Sequence, residues 1–197
     1  MGFHDGYFSR AGAFTLKHDR AASLHSIGIP VSTAHVDYTE HYRISAEQYD
    51  IFVRNPRTAK QFADGCRRHE HDDLLVLGPG CNRGEPRMPD ESDEVQAAIT
   101  YLDTFTSFPR GVALGIDVEA GQPYLSIPAG AGHSSEEWRY FLVLTAEREE
   151  FEADIESAVS FADACRRGEH DDRLVAPHTT DQRTDPATRV SDANTAE

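Results

Sequence analysis

Two sixteen-residue stretches of this chain are near copies of one another: QFADGCRRHEHDDLLV at 61–76 and SFADACRRGEHDDRLV at 160–175 share twelve aligned residues. A unit that occurs twice either stands as two separate bodies or closes around one shared core, so the repeat restricts the fold more than any other feature. The likeness continues upstream. Ile44-Ser45-Ala46-Glu47 matches Leu144-Thr145-Ala146-Glu147, in each case an apolar residue followed by a hydroxyl suited to cap a helix. Further back, Ile29-Pro30 with His35 matches Ile127-Pro128 with His133.

Each unit reads as three strands followed by helix. AFTLKH and SLHSIGI flank a polar turn at Asp19-Arg20, and EHYRI leads to Ser45; VALGIDV and PYLSI flank Ala120-Gly121-Gln122, and WRYFLVL leads to Thr145. The proline after each second strand is expected to end pairing there. Asn55-Pro56 breaks the first helix, since a capping residue before a proline restarts one. Ala59, Phe62, Ala63 and Cys66, and Ile155, Ala158, Val159, Ala162 and Cys165, follow helical spacing and face a core. Both repeat cysteines therefore read as buried small apolar residues.

The expected fold class is α+β: internally duplicated β-β-β-α units forming one pseudo-two-fold body, mostly antiparallel, with helices on one face. Two separate small α+β domains are the alternative, disfavoured because so small a unit buries too little surface alone. The first unit is placed at 1–79 and the second at 111–176. Between them, 80–110 holds a Gly, Pro and acid-rich connector with Cys81, then an amphipathic helix over 92–106 on the stripe Val95, Ala98, Ile99, Leu102 and Phe105. The tail 177–197 has little to bury and is expected to be disordered.

Thirty-four acidic residues against nineteen basic ones give a net charge of −15, and only Lys17 and Lys60 among the basic residues are lysines. This composition resembles that of halophilic proteins. It opposes direct binding to nucleic acid or to an anionic membrane by long-range repulsion. No apolar run approaches the ~18 residues of a membrane span, and the N-terminal stretch lacks a basic region followed by an apolar one. The expectation is a soluble, cytoplasmic protein. Mimicry of DNA by the acidic surface is a minor alternative.

The residues with the most chemical potential are the repeated Glu-His-Asp-Asp runs. His71, Asp72, His170 and Asp171, with His35 or His133 nearby, could supply imidazole and carboxylate ligands to a divalent transition metal if a two-fold axis brought the runs together. Glu70 or Glu169 would then be the general base of a hydrolase. The structural reading of the same runs is capping and ion pairing: arginines at the negative helix end, His at the last carbonyls, Asp turning the chain outward. The sequence holds no GxSxG elbow, HExxH helix or full phosphate loop, and Ala129-Gly130-Ala131-Gly132 leads into no helix. The leading expectation is therefore a non-enzymatic, pseudo-dimeric binding module for a protein partner or small ligand, with no assured cofactor.

Overall fold

The computed structural model describes residues 6–34, 36–79, 83–89, 92, 98–129 and 138–175. Strands β1 (Gly6–Ser9), β2 (Phe14–Asp19), β3 (Leu24–Ser32) and β4 (Asp37–Ile44) lead into helices α1 (Ala46–Arg54) and α2 (Pro56–Arg67) and a 3-10 turn at Asp72–Leu74. After the two-residue strand β5 (Glu85–Pro86), the same order returns: β6 (Tyr101–Ser107), β7 (Val112–Asp117), β8 (Gln122–Pro128), β9 (Trp138–Leu142), α3 (Thr145–Ala153), α4 (Ile155–Arg166) and a 3-10 turn at Asp171–Arg173. Strand β10 (Leu174–Val175) closes the described chain.

All ten strands form a single antiparallel sheet, in the order β10-β9-β8-β7-β6-β1-β2-β3-β4, with β5 beside β3. The protein is thus mixed α+β, with one continuous antiparallel sheet. Strand β1 lies against β6 at the centre, with Phe8 opposite Asp103. Partners in register share a face. Leu16, Ile27 and Tyr42 pack with Phe52, Ala59, Ala63 and Cys66. Leu114, Leu125 and Phe141 pack with Phe151, Ala158, Ala162 and Cys165. Following the register through β1 and β6 puts both clusters, and the four helices named above, on the same face.

Four expectations change. Each set of strands numbers four, because the short β1 and β6 precede the predicted three. The helix expected over 92–106 gives way to strand from Tyr101 onward. A bulge between Asp103 and Phe105 puts Leu102, opposite Ile116, and Phe105, opposite Leu114, on one face. Their spacing of three, normally helical, is here the mark of the bulge. Pairing also runs through Pro30, opposite Thr39, to Ser32; β2 starts too late to need a donor on Pro30's other flank, where its carbonyl accepts from Arg87 N at 2.8 Å. Finally, α3 starts one residue earlier than read. Its cap is Leu144, whose N–H donates to Glu147 at 2.7 Å, and Thr145 is already helical. Ser45 does cap α1, with the full reciprocal box to Gln48.

The restart at Asn55-Pro56 is present, with Asn55 accepting from Thr58 N. A matching break occurs at Asp154, which caps α4 without a proline. His35, Cys81, His133, residues 93–97 of the expected helix and the tail 177–197 lie outside the described residues. Among those described, no helix is long and apolar enough to cross a membrane.

Candidate functional site

The repeated motif makes the same local contacts twice. At the end of α2, Arg67 is held by Asp64 at 2.8 Å and donates to the carbonyls of Gly12 and Ala13 at 2.8 and 2.7 Å, and through Nε to that of Arg87 at 2.9 Å. Arg166, held by Asp163 at 2.7 Å, donates to the carbonyl of Gly111 at 2.6 Å. Both arginines thus tie the second helix of their set to the turn between its first two strands. Arg68 pairs with Glu70 at 2.7 Å and Arg167 with Glu169 at 2.5 Å. His71 stacks on Phe62 with ring centres 4.4 Å apart, and His170 on Phe161 at 4.5 Å. His69 and Gly168 both take the left-handed backbone that ends the helix, at φ 63° and 79°. Cys66 and Cys165 are fully buried, and burial pushes their thiols up to about 12 and about 11, far from a reactive thiolate.

The two runs do not meet. Leu75, just after Asp72–Leu74, bridges to Tyr42 on β4, whereas Leu174, just after Asp171–Arg173, pairs with Phe141 on β9. These are opposite edges of the sheet. Asp72 is engaged by Arg83 at 2.7 Å and Asp171 by Arg139 at 3.1 Å, so neither carboxylate stands free for a metal. Among the described residues, no three His, Cys, Asp or Glu side chains gather in a way that would hold a metal ion. A centre shared by His71, Asp72, His170 and Asp171 therefore has no geometric basis.

Arg83 is the hub of a partly buried network. It grips Glu40 through two bonds of 2.7 and 2.6 Å, reaches Asp72, and donates to the Tyr42 hydroxyl at 2.8 Å. Burial works against the Glu40 charge, but bonds from Arg83 and Tyr42 outweigh it and hold the carboxyl below its usual range; Arg83 does the same for Asp72. Carboxyls with depressed pKa contribute stability in full above their unfolded values of about 4 and lose it as pH falls through the lower folded values. Below about pH 4, hydrogen-exchange protection at 83–87 is therefore expected to fall ahead of the rest of the sheet. Arg83→Gln should abolish that early step; unchanged protection in the variant would refute the assignment.

A concave feature lies on the helix-free face of the first set of strands. A cleft of ≈ 430 Å³ is floored by Lys17, Ser26, Thr39 and His41 and walled by Val76 and Leu77, where the chain leaves β4 after Val76 N bonds the His41 carbonyl at 2.8 Å. Its size falls in the range of small-molecule sites. Register sets its chemistry: Ser26 faces Lys17 on one flank and Arg43 on the other, and Gly28 faces His41. Gly28 leaves room for that ring, since a Cβ there would fall 2.4 Å from Thr15 Oγ1 and 3.1 Å from the imidazole. His41 Nδ1 is shut off from solvent and has no hydrogen-bond partner. Burial, then the nearby Lys17, lowers the His41 pKa, so the ring is neutral at pH 7 and offers one donor and one acceptor.

Lys17, Ser26, His41 and Arg43 are not among the candidate site residues read from the sequence. The available signal was the strand alternation 15-17-19, 24-26-28 and 39-41-43, which puts these residues on one face, together with the scarcity of lysine. Comparison with protein-family models, curated proteins and solved structures finds no match to this chain.

Proposed function

We propose that the chain is a duplicated, pseudo-two-fold binding module without catalytic activity, and that the cleft above Ser26 is where it takes a small ligand. The repeated order of elements and the matching contacts of the two motif copies support the duplication. The cleft carries the functional reading: it is concave, mixed in polarity, of ligand size, and lined by a half-buried histidine. The motif that first suggested chemistry is occupied in both copies by contacts that hold helix to sheet.

Ligand-observed NMR with a neutral and charged fragment library tests this reading. Fragments should bind the full chain and be lost in Thr39→Trp, a substitution that fills the cleft from an exposed strand position compatible with a large aromatic. A far-UV spectrum confirms that the variant folds. Absence of any binder, or binders indifferent to Thr39→Trp, would overturn it.

A further inference from the structure

A row of exposed basic residues meets the cleft: Lys17 lines it together with Asp19, and Arg43 borders it on the same sheet face. Across three adjacent strands, Lys17, Ser26 and Arg43 stand in one cross-strand row on the helix-free face, with His41 beside them. Lys60, the other lysine, is bound by Asp64 at 2.8 Å, and most arginines of the described chain are likewise bound by carboxylates. Lys17 and Arg43 have no carboxylate partner among the described residues, although acidic residues outnumber basic ones 34 to 19. Two of the residues lining the cleft are acidic, Asp19 and Glu40, and both have partners of their own. Asp19 accepts from Ala21 and Ala22 N–H at 2.9 and 3.0 Å in the hairpin turn, and Glu40 is bound by Arg83 on the other face.

We infer that this cleft binds a small organic oxyanion, a carboxylate or a phosphate monoester, seated on the Lys17–Ser26–Arg43 row with His41 as a hydrogen-bond partner. The inference rests on the reading of the cleft as the binding site. Two exposed cations without a carboxylate partner among the described residues, on either side of a buried hydroxyl, form charge-assisted bonds to oxyanion oxygens, and Val76 and Leu77 provide a wall for an apolar body. The net negative charge of the chain does not prevent this. At physiological salt the Debye length is about 8 Å, so distant carboxylates are screened while the cations in contact are not.

The test uses the full chain with three matched probes: phenylacetate, phenyl phosphate and neutral phenylacetamide. One or both anions should bind at least ~10-fold more tightly than the amide, and Lys17→Gln and Arg43→Gln should each weaken that binding ~10-fold, as expected for loss of a charge-assisted hydrogen bond. Lys60→Gln should leave it unchanged. Saturation with the bound anion should also raise the His41 titration midpoint, read from its Cε1 proton. Comparison of the two anions tells carboxylate from phosphate recognition. Phenylacetamide binding as tightly as the anions, or anion binding indifferent to both variants, would overturn the inference while leaving the cleft reading intact. A cleft that binds neither these probes nor any library fragment would remove both.

Discussion

Asp103→Ala is expected to destabilise the protein by about 3–5 kcal/mol, the typical cost of removing one partner from a buried ion pair. Asp103 sits on β6 at the seam between the two sets of strands, its side chain 1% exposed. Arg10, at the end of β1, grips it through Nε at 2.7 Å and Nη2 at 2.9 Å, and also donates to Ser126 at 2.7 Å. The Tyr124 hydroxyl donates to the same carboxylate at 2.7 Å; burial, reinforced by Asp103, pushes that phenol well above its ordinary value and keeps it a donor. Arg10 lies 3.9 Å over Trp138, and Tyr101, Tyr124 and Tyr140 pack around the group. Burial opposes the guanidinium charge, but Asp103 outweighs it and holds Arg10 protonated. Alanine would leave that largely buried charge without its partner. Urea denaturation followed by circular dichroism measures the loss. The double variant Arg10→Met/Asp103→Leu should recover most of it, because apolar replacement of a whole buried pair is often neutral or better. A single variant within about 1 kcal/mol of wild type would show that the seam does not depend on this pair.

That pair also marks where sequence reasoning stops. Its partners are 93 residues apart, and nothing in either local pattern points to the other. Local signals were readable wherever one residue type does one job. Asn55-Pro56 restarts a helix, Gly121 takes φ 67° in its hairpin, Gly168 ends α4, and the repeat cysteines are buried. Signals failed where tertiary contacts set the outcome. Strand β1 is four residues long, too short for alternation to register. The bulge in β6 imitates helical spacing with two apolar residues three apart. Asp154 breaks α3 from α4 with a single carboxylate and no proline. The cleft takes floor residues from three strands and a wall from a fourth segment, so its basic row is visible only once the register is known. The same holds for the Glu-His-Asp-Asp runs: their spacing invited a shared metal centre, and only the order of strands puts them at opposite edges.

The motif's importance for folding is most sharply tested at Arg67. Its side chain is 1% exposed and that of Arg166 is 31% exposed, so equivalent positions are predicted to differ in energetic weight. Arg67→Met keeps the apolar stem but removes donors from the carbonyls of Gly12, Ala13 and Arg87, all of which the guanidinium serves at once. Leaving buried acceptors unsatisfied costs about 1–3 kcal/mol each, and partial relaxation of the turn at 10–13 brings the expected total to about 3–5 kcal/mol. Arg166→Met should cost about 1 kcal/mol, because water can replace its bonds to Gly111 and Arg110. Arg67→Lys should not rescue the first variant: a single ammonium cannot span carbonyls from two separate segments as the planar fork does. Chemical denaturation of the three variants decides the matter. Equal losses at Arg67 and Arg166 would mean that the two copies carry equal loads despite their different burial. A mild effect at Arg67, combined with loss of ligand binding, would return the motif to function.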